Sequence, residues 1–136
     1  MFLGEFTHKL DSKNRLTLPS DFRDKLIGDF YISKGAESSL IIYTKEEFIS
    51  RSIRLEAYKD TKKNRAIRRL FFSSATKTRL DKQGRILLNK NLLTYSSIDK
   101  DLVIIGNNTT IEIWAKDKWE EYIKEVEVNL SNLMDD

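Results

Sequence analysis

The chain of 136 residues has no cysteine, one histidine and one proline. Without cysteine it can form neither a disulfide framework nor a thiolate metal site, which suits a reducing cytoplasm. No apolar run approaches the roughly 20 residues of a membrane-spanning helix, and the segment from Met1 to Glu5 lacks the features of a signal peptide. We therefore expect a cytoplasmic protein of a single domain, without a membrane segment.

Residues that commonly carry catalysis are also scarce. The one histidine, His8, has no second histidine and no cysteine at ligand spacing, so we expect no metal site. The sequence has no glycine-rich phosphate loop. The acidic pairs Glu46/Glu47 and Glu120/Glu121 fall where acids stabilise the first turn of a helix. We therefore predict a protein that is not an enzyme and that takes no cofactor and no small-molecule substrate.

What the chain does contain is a repeated segment. Residues 9–18 return seventy positions later as residues 79–88, and both segments place an aspartate four residues before an arginine. The similarity continues through two later strand patterns in each half. A repeat of this length indicates a repeated structure. We expect the two units to share one core, because a unit of about fifty residues would be marginally stable alone.

Hydrophobic periodicity and turn residues predict a mixture of strands and helices, that is, an α+β fold. Alternation in residues 5–10 and 15–18 predicts the two arms of a hairpin. Further strands are expected at about 30–34, 39–43, 101–105 and 110–114, and helices at about 21–26, 44–56, 61–73 and 117–133, with a weaker helical stretch at 90–93. The predicted organisation is a first repeat at 1–57, a basic connecting helix at 58–75, and a second repeat with a C-terminal helix at 76–136.

The turns between aspartate and arginine are the candidate functional sites. Asp11 and Asp81 can accept hydrogen bonds from the amides of their own turns, which is a structural role, and can also pair with Arg15 and Arg85. Because an exposed ion pair adds little stability, pairing is a weak reason to find arginine at both positions. A guanidinium also fits a phosphate or the edge of guanine with two hydrogen bonds. We predict nucleic-acid contact for both arginines.

The charge distribution agrees with a polyanionic partner. Residues 51–90 contain 13 Lys or Arg against 3 Asp or Glu, whereas residues 111–136 contain 3 against 8. A local positive excess attracts nucleic acid, although a solvated helix surface is the alternative explanation. Four basic residues flank the two turns and are expected to contact phosphates: Lys9, Lys13, Arg79 and Lys82.

The two Asp-x-x-x-Arg turns and residues 1–19 (MFLGEFTHKLDSKNRLTLP) resemble the MraZ family, over essentially the whole chain. The resemblance implies two pseudo-symmetric AbrB-like swapped-hairpin β units, packed into one barrel-like domain with flanking helices. It also implies a cytoplasmic, nucleoid-associated transcription regulator of the division and cell wall gene cluster. Such a regulator binds double-stranded DNA at short direct repeats in the promoter, as an oligomeric ring.

The resemblance also distinguishes the two turns. In the family the first turn is most closely tied to DNA contact, which points to Asp11 and Arg15 here. Asp81 and Arg85 match the second turn, but the residues between them are not a copy of the first turn. Asn89 also stands where the family pattern has proline.

Two functions from other classes stay open. A structural assembly protein would use its repeats and amphipathic helices to form a ring that recruits protein partners, and its basic helix at 61–73 would bind an acidic surface. An RNA-binding regulator would stack bases on Phe71, Phe72 and Trp114 if these aromatic side chains were exposed. Their spacing instead favours packing in the core.

Overall fold

The computed structural model describes residues 1–135, which form eight β-strands and six α-helices. The predicted second repeat ends at Asp136, which lies outside the described residues. The first half contains β1 (Glu5–Lys9), β2 (Arg15–Thr17), α1 (Ser20–Arg23), β3 (Phe30–Lys34), β4 (Leu40–Tyr43) and α2 (Lys45–Glu56). After α3 (Lys62–Ser74), the second half contains β5 (Thr76–Thr78), β6 (Arg85–Leu87), α4 (Lys90–Ser96), β7 (Asp101–Asn107), β8 (Thr110–Ala115), α5 (Lys116–Val128) and α6 (Leu130–Met134). The strands β3, β4, β7 and β8 lie where the sequence predicted them, with bounds that differ by no more than two residues.

The two halves exchange strands. β1 of the first half pairs antiparallel with β7, and its counterpart β5 of the second half pairs antiparallel with β3. β2 pairs with β6, and β4 pairs with β8. Only the hairpins β3–β4 and β7–β8 join neighbours within one half. Residues 5–10 and 15–18 therefore do not form a hairpin with each other, and that prediction is wrong. Each arm instead finds an equivalent partner in the other half.

The α+β fold class is confirmed, with antiparallel pairing throughout the described strands. The larger sheet has the order β1-β7-β8-β4-β3-β5, and β2 and β6 form a separate two-stranded ribbon. The expected barrel-like closure is not confirmed, because the larger sheet is open and has β1 and β5 as its two edges.

One hydrophobic core is built from both halves, as expected. The ribbon contributes Leu16 and Ile86, and the larger sheet contributes residues such as Ile32 and Ile104. Phe22 of α1 packs edge-on against the ring of Phe6, with the ring centroids 5.3 Å apart. Burial of apolar side chains from both halves in one cluster is the dominant stabilising term, so it fixes the ribbon against the sheet.

Three predicted helices differ from the observed ones. α1 ends at Arg23, and Pro19 rather than Ser20 occupies the position before its first residue, without a side-chain cap. By contrast, the side chain of Asn89 accepts a hydrogen bond from the Leu92 amide at 2.9 Å, and this cap supports a helix longer than the predicted weak stretch. The predicted C-terminal helix is interrupted at Asn129, which separates α5 from α6.

Candidate nucleic-acid interface

The β2–β6 ribbon has one buried and one outward face. Side chains of a strand alternate between two faces, and the central pair of the ribbon, Leu16 opposite Ile86, is buried in the core. The flanking cross-strand pairs lie on the other face: Arg15 opposite Leu87, and Thr17 opposite Arg85. The ribbon therefore places one arginine from each repeat on the same outward surface.

The first turn is organised around the carboxylate of Asp11. Oδ1 of Asp11 accepts hydrogen bonds from the amides of Lys13 and Arg15, both at 2.9 Å. Oδ2 accepts a hydrogen bond from Nε of Arg15 at 2.8 Å. Asn14 has a φ of 60°, a left-handed conformation that asparagine tolerates better than most residues. The aspartate thus shapes the turn and orients the arginine at the same time.

The second turn has the same arrangement around Asp81. Its Oδ1 accepts hydrogen bonds from the amides of Gln83 and Arg85 at 2.9 Å, and its Oδ2 accepts from Nε of Arg85 at 2.8 Å. Gly84 supplies the left-handed residue, with a φ of 73°. The pairing predicted between each aspartate and its arginine is therefore confirmed, although neither geometry tests contact with DNA.

Backbone hydrogen bonds hold each turn against the strand of the other repeat. The amide of Leu18 donates to the Gly84 carbonyl at 3.1 Å, and the amide of Leu88 donates to the Asn14 carbonyl at 3.0 Å. These bonds extend the ribbon at both ends. The two turns consequently lie at opposite ends of one short ribbon, with a fixed relative geometry.

The two aspartates are ionised at neutral pH. The pKa of Asp11 is lowered from its usual value, chiefly by the hydrogen bond from the Arg15 amide. The pKa of Asp81 is lowered in the same way, chiefly by the hydrogen bond from the Arg85 amide. Each carboxylate therefore keeps its negative charge beside its arginine, which favours a fixed orientation of the guanidinium.

The arginines keep part of their hydrogen-bonding capacity. The Arg15 and Arg85 side chains are 31% and 23% exposed. Among the described residues, hydrogen bonds engage only the Nε atom of each guanidinium. The terminal nitrogens, Nη1 and Nη2, are the pair that can form a fork with an external acceptor. The arrangement therefore holds Nε of each guanidinium. Nη1 of Arg85 also lies 3.9 Å from Oδ2 of Asp11, an ion pair without a hydrogen bond, so the terminal nitrogens of both arginines keep donors for a ligand.

The four flanking basic residues fall into two groups. Lys9 lies 3.7 Å from Oδ1 of Asp101, and Nε of Arg79 donates to Oδ1 of Asp29 at 2.6 Å. This hydrogen bond is the main reason that the pKa of Asp29 is lowered. By contrast, Lys13 and Lys82 are exposed within the turns themselves. The structure thus brings two of the predicted cations to the turns and pairs the other two with acids elsewhere.

Arg23 is a further cation beside the site that the sequence did not indicate. A Cβ atom added to Gly84 would clash with Cδ of Arg23, so the Arg23 side chain crosses directly over the second turn. Its Nε atom is buried and has no hydrogen-bond partner among the described residues. The equivalent residue of the second repeat is Leu93. Comparison of the two repeats therefore shows that Arg23 has no counterpart, but it does not reveal that Arg23 contacts Gly84.

The aromatic residues are mostly packed inside the protein. Phe71 and Trp114 are 5% and 4% exposed, as predicted, whereas Phe72 is 41% exposed. A surface that stacks successive bases needs several exposed rings, so these residues give little support to the RNA-binding alternative. Between residues 1 and 135, no helix combines the length and the apolar character needed to cross a membrane.

Comparison with known proteins agrees with the repeat. The family model described as "MraZ protein, putative antitoxin-like" matches the chain twice, over residues 1–70 and 71–135. The protein named Transcriptional regulator MraZ of Finegoldia magna is 41% identical over 136 residues, which cover 99% of this chain and 95% of that protein. The one of Clostridium tetani is 47% identical over 123 residues, which cover 90% and 87%. The chain therefore belongs to the MraZ family, whose members are transcriptional regulators and not enzymes.

Proposed function

We propose that the protein regulates transcription by binding double-stranded DNA with the outward face of the β2–β6 ribbon. The observation that carries the proposal is the common position of Arg15 and Arg85. Both guanidinium groups lie on one ribbon, and each is held at Nε by an aspartate, with Nη1 and Nη2 free of other hydrogen bonds among the described residues. A guanidinium presented in this way suits the O6 and N7 atoms of guanine.

The size of the ribbon agrees with this role. Two paired strands lie about 4.8 Å apart, and the major groove of DNA, about 12 Å wide, admits a two-stranded ribbon. Several DNA-binding proteins read the groove with β-strands. In this arrangement the turns at the two ends of the ribbon approach the phosphates, where Lys13 and Lys82 contribute affinity without sequence preference.

We also propose that the subunits assemble into a ring whose members read successive direct repeats. Exposed apolar side chains on α2 and α3 support this assembly: Ile49, Ile53, Ile67 and Leu70. α3 has five Lys or Arg and no acidic residue, whereas α5 has five acidic residues against three lysines. Complementary patches on different parts of one chain favour head-to-tail contacts, which close into rings when the rotation permits. A ring then gains affinity from simultaneous engagement of several repeats.

The identity of the target follows from the family resemblance. We propose that the direct repeats lie in the promoter of the division and cell wall gene cluster, and that the protein is associated with the nucleoid. Which genes the protein controls is decided by where the direct repeats occur in the genome, and the geometry of the ribbon does not determine this.

A gel-shift titration of promoter DNA with tandem repeats tests the ribbon. Arg15→Ala should weaken binding about tenfold or more, because one good bidentate base contact contributes about 1–3 kcal/mol. Arg69→Ala is the matched control, since it removes an exposed arginine of α3 outside the ribbon. Its effect should be smaller and equal on promoter and random duplexes. Unchanged affinity and footprint for both Arg15→Ala and Arg85→Ala would exclude the proposed interface.

The same titration separates the two alternatives. A pure assembly protein would not bind random-sequence duplex, whereas a DNA-binding protein does so with an affinity that falls steeply with salt. An RNA-binding regulator would release duplex DNA when single-stranded RNA is added. Binding that is restricted to RNA, or absent for every nucleic acid, would contradict the proposal.

A further inference from the structure

We infer that Leu87 contacts the 5-methyl group of a thymine in the major groove, and that the difference between Leu87 and Thr17 gives the ribbon a direction on DNA. This inference rests on the proposed function, since it concerns the same outward face. It adds a thymine as a second element of the recognised site, beside the guanine expected for an arginine.

Leu87 is placed unlike the neighbouring apolar residues of the ribbon. Its neighbours in sequence, Ile86 and Leu88, are buried in the core, whereas Leu87 is 59% exposed. A single exposed leucine is common on protein surfaces, so the exposure of Leu87 does not by itself indicate a binding role. Its position does, because Leu87 lies directly opposite Arg15 on the face that carries both arginines.

The ribbon has an approximate two-fold axis through its central pair. Leu16 opposes Ile86, Arg15 opposes Leu87, and Thr17 opposes Arg85. Rotation about the axis therefore exchanges the two arginines with each other and exchanges Thr17 with Leu87. A fully symmetric ribbon would bind a DNA site equally well in either orientation, because rotation about its two-fold axis would only exchange identical residues. Among the four outward residues of the ribbon, Thr17 and Leu87 are the symmetry-related pair whose members differ in identity.

The chemistry of a leucine at this position selects thymine. Thymine is the base that presents a methyl group in the major groove, and apolar side chains recognise it by contact. Cross-strand neighbours have Cβ atoms about 5 Å apart, and successive bases rise by about 3.4 Å. A thymine contacted by Leu87 therefore lies within about two base pairs of the guanine contacted by Arg15.

Exchange of thymine for uracil removes only the methyl group and tests the contact directly. Duplex sites are first selected from a random pool with the wild-type protein, and each thymine is then replaced in turn. One replacement should weaken wild-type binding about three- to fivefold, the effect of one lost methyl contact. The same replacement should leave the affinity of Leu87→Ser unchanged, because serine has no methyl group to contact the thymine. Thr17→Ala, at the symmetry-related position, should keep the wild-type response.

The outcomes distinguish this inference from the proposed function. If no replacement affects the wild type, or if Leu87→Ser keeps the full loss, Leu87 does not contact a thymine, although the ribbon still binds DNA through its arginines. If selection recovers no preferred site and Arg15→Ala binds as the wild type does, the proposed function itself fails.

The direction of binding has its own test, which uses the absence of cysteine. A DNA-cleaving reagent attached to Gln83→Cys, an exposed position in the second turn, should cut mainly on one side of an isolated selected site. In the double exchange Thr17→Leu/Leu87→Thr, cleavage should move to the other side or divide between both sides. Cleavage that stays on the original side would show that these two residues do not set the direction.

Discussion

The carboxylate of Asp11 contacts arginines of both repeats. Its Oδ2 accepts a hydrogen bond from Nε of Arg15 at 2.8 Å and lies 3.9 Å from Nη1 of Arg85. Within the described residues, Asp81 has an ion pair only with Arg85, at 2.8 Å. The two turns are therefore alike in their internal hydrogen bonds but unequal in their contact across the ribbon.

This inequality predicts different effects of removing the two charges. Asp11→Asn weakens the orientation of both arginines, whereas Asp81→Asn affects one. We expect the ratio of promoter affinity to random-duplex affinity to fall about tenfold in Asp11→Asn, comparable to the loss of one base contact, and to fall less in Asp81→Asn. Paired binding titrations at one salt concentration measure the ratio. An equal or larger fall for Asp81→Asn would show that the contact across the ribbon has no role.

The lowered pKa values of Asp11 and Asp81 predict a pH dependence of stability. A carboxylate whose folded pKa lies below its unfolded value stabilises the fold above the unfolded pKa, and this contribution disappears as pH falls through the folded pKa. The ordinary value is 3.8 for both groups. The wild type should therefore resist urea better than Asp81→Asn at neutral pH, and the difference should shrink below pH 3.8. A constant difference across that range would contradict the assignment.

The different residues at the left-handed positions of the two turns predict a specific incompatibility. Asn14 and Gly84 have similar positive φ values, but only Gly84 lies beneath the Arg23 side chain. Asn14→Gly should be nearly neutral, whereas Gly84→Asn should cost about 1 kcal/mol through displacement of Arg23. Urea denaturation measures both, and Arg23→Ala should remove the extra cost of Gly84→Asn. Equal costs with and without Arg23 would place the conflict elsewhere.

The buried centre of the ribbon should be critical for stability. Leu16→Ala and Ile86→Ala each leave a cavity in the core and should lower the free energy of unfolding by about 2–5 kcal/mol. Thr17→Ala, on the outward face, should change it by no more than about 0.5 kcal/mol. Denaturant titrations of the three variants test this contrast. A small effect of Leu16→Ala would mean that the ribbon is not anchored by its central pair.

The proposed ring predicts a surface variant that alters assembly. Ile53 of α2 is 66% exposed, and a charge at this position should disfavour an apolar contact between subunits. Light scattering should give the mass of several subunits for the wild type and a smaller mass for Ile53→Glu. Ile27→Glu, in the loop after α1 at another highly exposed isoleucine, is the control and should assemble normally. A wild-type monomer, with and without DNA, would contradict the proposed assembly.

The parts of the structure that were predicted from sequence depend on local patterns. The turns at Asp11 and Asp81 are determined by residues within four positions of each aspartate, and the strands near 30–34 and 101–105 by a short apolar run. Alternation did not predict the pairing of β1 with β7, because it shows which face of a strand is buried but not which distant strand lies beside it. The resemblance implied swapped hairpins but gave no strand partners. The interruption at Asn129 has no proline or glycine to indicate it.

Only those residues of the candidate site that belong to a local pattern could be predicted from the sequence. Asp11, Arg15, Asp81 and Arg85 were recognised because the repeat brings each pair together locally. Arg23 reaches the second turn only through tertiary packing. The outward position of Leu87 depends on the pairing of β6 with β2, which the sequence did not reveal. Contact of any of these residues with DNA stays a prediction.

Because the two halves exchange strands, neither repeat can complete this architecture alone. A polypeptide with a single repeat would leave β1 without β7 and β2 without β6, so it could complete this architecture only by association with another copy. Covalent linkage of two such copies turns that association into an intramolecular event that does not depend on protein concentration. When two copies are joined in one chain, each can differ at positions such as 17 and 87, so the two-fold related residues of the ribbon need not be the same.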